Sequence, residues 1–338
     1  MKTFNKVGAS LAAIAAAGIT LTGCGSGSST SAKTDSESCG FAFIMQDPIS
    51  SSTAEQTIVR GLDNAQKEHD VTIDVIDGTA IAAVADNLRS AAARGCYEAI
   101  GVPFFANGDA VTQVASEYPE QAFYIAGGVA EGANVTSFNA ANEEGTYVAG
   151  AMAAAMTKSG TIGVIIGDDS PSLRRYSDGF AAGAASVDPS TKVITTAVGS
   201  FTDPAKAGSI ATNQASKGAD IIYSAAGSNL QVYALGAQNG YRTIASDLTD
   251  WASVRATNPA LAFIAAPTED KLNSSIIAAY VNGDVPGGET RELGLKDGIF
   301  DIPYITGVAS NDFEIPQVVV DAGTTAYEYI RGGGAATK

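Results

Sequence analysis

The sequence predicts an α/β protein of two lobes, each a doubly wound, mostly parallel sheet flanked by helices. From Phe41 onward, short β-rich runs alternate with stretches of helical spacing. Most of the β-rich runs are continuously apolar, which is typical of parallel strands covered on both faces. The series also occurs twice, from Phe41 to about Phe138 and from about Thr161 to Ala266, so two sheets are expected.

Each element is predicted from its own run of residues. The apolar runs predict strands at Phe41–Met45, Val71–Ile76, Ala99–Pro103, Ala122–Ala126, Thr161–Ile166, Lys192–Val198, Asp220–Ser224, Arg242–Ala245 and Leu261–Ala265. Helical spacing predicts helices at Ala54–Glu68, Ile81–Arg94, Glu143–Thr157, Ser172–Ser186, Pro204–Lys217 and Leu230–Asn239.

After the second block the chain is expected to return to the first lobe. A helix is predicted at Glu269–Asn282, then an irregular Gly-rich loop and a late strand near Gly298–Ile305. We therefore predict a first lobe from residues 39–139 and 267–290, and a second lobe from residues 140–266 and 291–338. Ligands of open parallel sheets bind outside the carboxyl ends of the strands, so two facing sheets favour a binding cleft.

The first 23 residues have the pattern of a secretory signal. Lys2 and Lys6 precede an apolar, Ala-rich run, and the leader ends in Leu21-Thr-Gly-Cys24, which resembles a bacterial lipobox. In such a box the cysteine is acylated and becomes the new N-terminus, although Cys24 could also simply follow an ordinary signal peptide. The Gly- and Ser-rich residues 24–38 are typical of a flexible tether. This pattern predicts a protein anchored by lipid on the outer face of the cell membrane.

Composition and charge narrow the class of partner. The formal charge is −16, and loss of Lys2 and Lys6 with the leader makes it −18. Nucleic-acid binding depends on basic side chains that neutralise phosphates. A chain this acidic is therefore not expected to bind nucleic acid. We expect a monomer.

Two cysteines of the mature chain are predicted to pair. Cys39 and Cys96 directly precede the first and third strand-like runs. In a sheet of order 2-1-3-4-5 those strands are neighbours and begin at the same edge, and outside the membrane such thiols tend to oxidise. We predict a disulfide between Cys39 and Cys96; the alternative is two buried free thiols.

The sequence carries no recognisable catalytic or metal-binding motif. The chain has a single histidine, His69, at a predicted helix end, and it has no G-x-S-x-G elbow, P-loop, G-x-G-x-x-G turn or Cys/His metal spacing. Carboxylates are abundant, so a mechanism with paired acids stays open from composition alone. No catalytic residue, metal or cofactor is predicted.

Candidate ligand-binding residues follow predicted strands. Asp47 comes after the first strand, Phe201 and the helix cap Asp203 lie in Gly199–Pro204, Gly227 follows a later strand, and Asp247 follows the next. Carboxylates suit ligand hydroxyls, an aromatic face suits a ring, and glycine admits close backbone approach. Each also has a structural alternative: a turn cap, a core residue or a tight bend. Trp251 could pack beneath the cleft or enter it.

An ordered set of segments carries a family resemblance. The segments are Glu144–Gly150, Met156–Gly163, Asp178–Gly183, Gly199–Pro204, Gly218–Gly227 and Leu293–Gly298. In that order they resemble the basic membrane lipoprotein (BMP/PnrA-like) family of ABC-transporter substrate-binding lipoproteins. The resemblance implies a type I periplasmic-binding-protein clamshell that delivers nucleosides, usually purine nucleosides, to an ABC permease.

The resemblance also implies roles for individual residues. Phe201 would stack on the base, Gly227 would contact the ligand through its backbone, Asp247 and Lys271 would reach the ribose, and Asp47 would contact the base.

One departure from the family pattern concerns the first helix. The family's D-D-x-S-F-N-like motif supplies a second stacking Phe and an Asn, and here Ala54 and Glu55 occupy those places. The family's aspartate near the end of the fourth strand is also replaced, by Tyr124–Gly128. The resemblance as a whole implies a nucleoside receptor. The departures leave a receptor for a free sugar or signalling molecule as an alternative, and a surface-anchored enzyme is another.

Overall fold

The protein is described here by a computed structural model. The structure describes residues 38–51, 53–78, 80–227, 229–246, 258, 260–306 and 315–337. The predicted leader, Cys24 and all but the last residue of the tether lie outside these residues, as do Asp247 and Trp251. None of the described helices is long and apolar enough to cross a membrane.

The first sheet contains six parallel strands among the described residues. They are β1 (Gly40–Ile44), β2 (Ile73–Ile76), β3 (Tyr97–Pro103), β4 (Ala122–Ala126), β5 (Val135–Ala140) and β12 (Glu289–Leu293). Their order is β2-β1-β3-β4-β5-β12, and every neighbouring pair is parallel.

The second sheet contains five strands in the described part of the chain. They are β6 (Thr161–Ile166), β7 (Lys192–Ala197), β8 (Ile221–Ala225), β9 (Arg242–Ala245) and β10 (Leu261–Ile264). The order β7-β6-β8-β9-β10 repeats the β2-β1-β3-β4-β5 order of the first sheet, again with all strands parallel. The predicted α/β class, with two parallel sheets, is confirmed.

Helices connect the strands and cover the sheets. They are α1 (Thr53–His69), α2 (Val84–Ala92), α3 (Gly108–Glu117), α4 (Asn142–Met156), α5 (Pro171–Val187), α6 (Pro204–Ser216), α7 (Asn229–Asn239), α8 (Glu269–Val281), α9 (Pro303–Thr306) and α10 (Gln317–Arg331). Short 3₁₀ turns precede α1, α2 and α3.

The central strands of the first sheet are buried on both faces. Successive side chains of a strand point to opposite faces. Phe41, Phe43 and Met45 accordingly join one core cluster with residues of α1 and α8, whereas Ala42 and Ile44 join a second cluster with residues of α2 and α3. This double burial explains why the strand runs are apolar throughout rather than alternating.

The two helices α4 and α5 approach each other closely because glycines face their backbones. A Cβ on Gly150 would collide with the carbonyl of Phe180, and one on Gly183 would collide with the carbonyl of Tyr147. The Phe180 ring of α5 then stacks on Tyr223 of β8 with ring centroids 5.5 Å apart. The pair of helices is thereby packed on the second sheet.

The return of the chain differs from the prediction in two places. Residues 289–293, expected as irregular loop, form β12 at the edge of the first sheet, so this strand spans the predicted lobe boundary at residue 290. Near Gly298–Ile305, expected as a strand, there are only two strand residues, Phe300 and Asp301 (β13), which pair antiparallel with β11 (Ala266–Pro267) before α9 begins. Pro303 lacks the N–H that a ladder needs and suits the first position of a helix.

The structure joins Cys39 and Cys96 by a disulfide, the pair that the sequence predicts, with a Cα–Cα distance of 5.2 Å. Cys39 directly precedes β1, and Cys96 directly precedes the neighbouring strand β3. The N–H of Cys39 donates to the carbonyl of Cys96 (3.0 Å). The bridge therefore lies at the amino edge of the first sheet.

Candidate functional site

At the carboxyl edge of the first sheet, Asp47 belongs to a series of hydrogen bonds between side chains. Gln46, which follows β1, donates through Nε2 to Asp47 Oδ2 (3.0 Å). Its Oε1 accepts from Asn107 Nδ2 (3.1 Å), and Asn107 is fully buried in the turn after β3. Asp47 is partly exposed. The segments that follow β1 and β3 are thus tied together where Asp47 lies.

At the carboxyl edge of the second sheet, Phe201 presents an aromatic ring. It lies in the loop between β7 and α6, and 47% of its surface is exposed. Its ring lies over Gly167, which follows β6, and its carbonyl and Cβ lie against Gly227, which follows β8. A side chain at either glycine would collide with Phe201, so both positions are limited to glycine while the ring stays in this place.

The turn that holds Gly227 is built by a buried asparagine. Gly227 has φ of +72°, a left-handed backbone that favours glycine. Asn229 is 4% exposed, and its Oδ1 accepts from the N–H of Ala226 (3.0 Å) and from the hydroxyl of Ser224 (2.7 Å). These two hydrogen bonds of Asn229 therefore fix the turn that contains Gly227.

Asp203 has a structural role. Its Oδ1 accepts from the N–H of Lys206 (2.9 Å), which makes it the N-cap of α6. The cap predicted from the sequence is confirmed, and it anchors the end of the loop that carries Phe201.

Lys271 is engaged in an ion pair. It lies in the first turn of α8, and its Nζ contacts the carboxylate of Asp301 on β13. The Asp301 side chain is 8% exposed and that of Lys271 35%. The pair was not expected from the sequence, because its partners are 30 residues apart and no local pattern joins them.

Asp247 and Glu55 are the remaining residues that the family resemblance singles out. Asp247 lies outside the described residues, although the preceding Ser246 donates its hydroxyl to the carbonyl of Ser224, at the end of β8. Glu55 lies in the first turn of α1 and is 5% exposed. A buried carboxylate thus occupies the place where the resemblance leads one to expect Asn.

A separate groove lies away from these strand ends. It has a volume of about 630 Å³ and runs between α5 and the C-terminal residues, with Tyr147 and Tyr329 on its wall and alanines along its floor. Asp178 is the single carboxylate among the residues that line it. His69 ends α1, at the edge of the sheet opposite Asp47. No group of His, Cys, Asp and Glu in the described ranges could hold a metal ion.

Comparison with known proteins matches most of the chain to one family model. Residues 40–324 match the Bmp family, described as "ABC transporter substrate-binding protein PnrA-like". The chain is 37% identical over 142 residues, 42% of its length, to the ABC transporter nucleoside-binding protein BmpA of Lactococcus lactis. It is 35% identical over 114 residues, 34% of its length, to a purine-binding protein of Brucella abortus. These matches span 40% and 33% of the relatives' own lengths.

Among solved structures, an ABC transporter solute-binding protein from Conexibacter woesei is similar in fold. Its TM-score is 0.66 at 18% identity, over 88% of this chain and 97% of that one. The chain therefore has the type I periplasmic-binding-protein fold that the sequence resemblance implied.

Proposed function

The chain belongs to the Bmp family of PnrA-like ABC transporter substrate-binding proteins, and on that premise we propose that it captures nucleosides between its two sheets and delivers them to an ABC permease. Two relatives carry names that refer to nucleoside and purine binding. Family membership supports a receptor rather than an enzyme.

The observation that carries the ligand class is the ring of Phe201. An aromatic side chain that is almost half exposed, and seated on two glycines, offers a flat apolar face at the carboxyl edge of the sheet. Purine and pyrimidine bases stack on such faces. Phe201 would therefore hold the base from the side of the second sheet.

Polar capture is assigned to the carboxylates and Lys271. Asp47 would accept hydrogen bonds from N–H groups of the base, and Asp247 would accept them from ribose hydroxyls. Lys271 would donate to the ribose while Asp301 holds its other donors, and the backbone at Gly227 would approach the ligand closely. Contacts from both lobes favour a closed state, because the ligand gains interactions there that the open state lacks.

The cellular setting belongs to the same proposal. Acylated Cys24 would anchor a monomer on the extracytoplasmic face of the cell membrane, with residues 25–38 as a tether.

A second candidate is a receptor for a free sugar or a signalling molecule. Ala54 and the buried Glu55 replace the family's Phe and Asn in the first helix, which removes one aromatic face and adds a carboxylate. Carboxylates are the acceptors that sugar hydroxyls bind well.

The test is a binding screen of the chain from Gly25 onward. Thermal shift and calorimetry are run with purine and pyrimidine nucleosides, free bases, pentoses and hexoses. A ligand at a hundred times its Kd stabilises the fold by about 2.7 kcal/mol. Stabilisation by nucleosides supports the proposal; stabilisation by sugars alone favours the second candidate and contradicts the first.

Phe201→Ala makes the test specific to the site. Loss of a stacking ring costs about 1–3 kcal/mol of base binding, or about 5- to 150-fold in Kd. Tyr329→Ala is the matched control, because Tyr329 is 50% exposed but belongs to α10, away from the strand ends. Equal affinity of Phe201→Ala and the wild type would remove Phe201 from the site.

A further inference from the structure

The hydrogen bonds behind Asp47 run in one direction, and a backbone carbonyl sets that direction. Pro103 ends β3, and its carbonyl oxygen can only accept a hydrogen bond. Asn107 Nδ2 donates to this carbonyl, so the amide of Asn107 must turn its nitrogen, and not its oxygen, toward the end of β3. The same nitrogen lies 3.1 Å from Gln46 Oε1. The two N–H bonds of the Asn107 amide are therefore both directed at acceptors.

Gln46 passes the same direction on to Asp47. Because Gln46 presents its carbonyl oxygen to Asn107, its amide nitrogen is the atom that reaches Asp47 Oδ2, at 3.0 Å. An ionised carboxylate can only accept, as the carbonyl of Pro103 does. If both amides were turned over, oxygen would face oxygen at both ends of the series. The side chains between Pro103 and Asp47 therefore have one favourable orientation.

Asn107 keeps this orientation at a cost. The residue is fully buried, and its Oδ1 has no hydrogen-bond partner within the described ranges. A buried acceptor without a partner destabilises a fold, and such groups are rare in native proteins. The nitrogen is thus the part of the Asn107 amide that the fold uses.

The backbone that carries Asp47 is also held by the residues that follow β2. Asp77 Oδ1 accepts from the N–H of Ile49 (2.8 Å). A Cβ on Gly78 would lie 2.4 Å from the carbonyl oxygen of Met45 and 2.7 Å from the nitrogen of Asp47, so the two backbones are in direct contact. The segment after β1 is thereby fixed between the ends of its two neighbours, β2 and β3.

These contacts leave the direction of one N–H as the feature that sets how Asp47 is presented. We propose that Gln46, oriented by Asn107, is a positioning residue of the ligand site: it donates to Asp47 Oδ2 and so holds the carboxylate as an acceptor, with Oδ1 left for the ligand. This inference rests on the proposed function and deepens it. The site would take a ligand that places an N–H or O–H donor at Asp47, and it would reject one that places an acceptor there.

Gln46→Glu tests this role because it exchanges the donor N–H for oxygen and keeps the shape of the side chain. When the new carboxyl is ionised, it repels Asp47; when it is protonated, its O–H donates to Asp47 and its carbonyl still accepts from Asn107. Inosine and adenosine are the probes, and Kd is measured by calorimetry at pH 7.5 and pH 5. We expect the ratio of variant to wild-type Kd to be about 10- to 150-fold at pH 7.5 and to return to within a few-fold at pH 5.

Gln66→Glu is the matched control for the added carboxyl. Gln66 Nε2 lies 3.5 Å from Asp63 Oδ1, and its Oε1 accepts from the N–H of Ile73 (2.9 Å), where β2 begins at the opposite edge of the sheet. Its Kd ratio should stay near one at both pH values. Asp77, the other carboxyl in the described contacts of the segment after β1, is the same in every protein, so its titration cancels in the ratio.

Two further variants test the direction of the series. Gln46→Met carries no titrating group, so it should weaken binding by the same factor at both pH values. Asn107→Ala should weaken binding to a similar extent, and the double variant should lose no more than either single variant, because both act through the same carboxylate. Asn107→Ser takes the place of Asn107→Ala if circular dichroism shows that the latter does not fold.

The outcomes separate this inference from the proposed function. A wild type that binds neither inosine nor adenosine would overturn the proposed function, and the role of Gln46 with it. Binding by the wild type together with a Kd ratio of Gln46→Glu that is equal at both pH values would overturn the role of Gln46 alone. A pH-dependent ratio in Gln66→Glu would indicate a general effect of the added charge and would also overturn it. Additive losses in the double variant would remove Asn107 from the series.

Discussion

Lys271 and Asp301 illustrate how a buried charge constrains its partner. The Asp301 carboxylate is almost fully buried, and Lys271 is its cationic partner. A buried carboxylate without a partner is costly, so the pair stabilises the junction of α8 and β13 as well as orienting the lysine.

Lys271→Ala should therefore lower stability as well as ligand affinity. We expect a loss of about 1–3 kcal/mol in the free energy of unfolding, because Asp301 would stay buried without its partner. Urea unfolding followed by circular dichroism measures this loss. Arg60→Ala is the control: its pair with Asp270 is more exposed, at 52% and 20%, so its loss should stay below about 1 kcal/mol. Equal losses in the two variants would contradict the argument.

For single residues, the positions of several candidate site residues could be predicted from the sequence. Asp47, Phe201 and Gly227 follow strands of parallel sheets, and the carboxyl ends of such strands share one edge. Asp301 could not be predicted in the same way, because the partner of Lys271 is set by a contact across 30 residues.

The disulfide fixes two elements, β1 and β3, at the edge of the sheet opposite the proposed cleft. The cysteines are 57 residues apart in sequence. Closing a loop of this length constrains the unfolded chain, and the chain-entropy model gives about 4 kcal/mol, with 2–4 kcal/mol typical.

The double variant Cys39→Ser/Cys96→Ser should lower the free energy of unfolding by about 2–4 kcal/mol. Its ligand affinity should equal that of the wild type, because the bridge lies at the amino edge. Urea unfolding and calorimetry on the same preparations check both expectations. Loss of binding without loss of stability would contradict this placement.

The first turn of α4 carries a carboxyl whose protonation affects stability. Glu144 Oε2 accepts from the N–H of Leu295 (2.7 Å), and Gly294 lies directly against the carboxylate. Burial raises the pKa of Glu144 above its ordinary value of 4.5; the hydrogen bond from Leu295 opposes this rise, and nearby Glu143 and Asp297 add to it. The folded protein therefore holds this proton more tightly than the unfolded chain does.

Glu144→Gln should be more stabilising at pH 7 than at pH 4. The contribution of Glu144 to stability falls as the pH rises from about 4.5 through its raised pKa, because ionisation of the buried carboxyl is disfavoured in the fold. The neutral amide avoids this cost and can still accept from Leu295. Thermal unfolding at both pH values measures the difference, with the exposed Glu68→Gln as control. A larger gain at pH 4 would contradict the sign.

Elements with strong apolar runs could be predicted, and weakly patterned ones could not. The strands β1 to β4 and β6 to β10 fall close to their predicted places. Most of them are buried on both faces of a sheet, whereas the edge strand β7 has no fully buried residue and is predicted by its β-branched residues. β12 reads Glu-Thr-Arg-Glu-Leu, with four polar residues, because it is an edge strand with most of its side chains exposed. Its place is decided by pairing with β5 rather than by its own composition.

A charged network connects the two sheets of the molecule. Arg175 of α5 donates to both oxygens of Glu143 on α4 (2.6 and 2.7 Å) and to Glu292 on β12 (2.8 Å). Because α5 packs on the second sheet and β12 belongs to the first, this guanidinium spans the junction between them. A bidentate contact between a guanidinium and a carboxylate restricts the orientation of the two side chains and also adds stabilising energy.

Arg175→Ala should lower the free energy of unfolding by about 1–3 kcal/mol and increase the radius of gyration of the ligand-free protein. Its neighbour Arg174 is the control, because it pairs only with the exposed Asp169 of its own loop in the described contacts, at 56% and 67% exposure. Arg174→Ala should cost below about 1 kcal/mol and leave the radius unchanged. Urea unfolding and small-angle X-ray scattering provide the two measurements. An unchanged radius in Arg175→Ala would show that the network does not restrain the lobes.

The pairing of β12 with β5 has a consequence for how the molecule forms. Because a chain is synthesised from its N-terminus, residues 135–140 are made well before residues 289–293. On the side of β5 that pairs with β12, the backbone N–H and carbonyl groups therefore stay unpaired until the second sheet has been synthesised. Contacts so distant in sequence slow folding, and open strand edges invite pairing with other chains. Factors that delay aggregation during synthesis should thus matter most for the part of the protein that is made first.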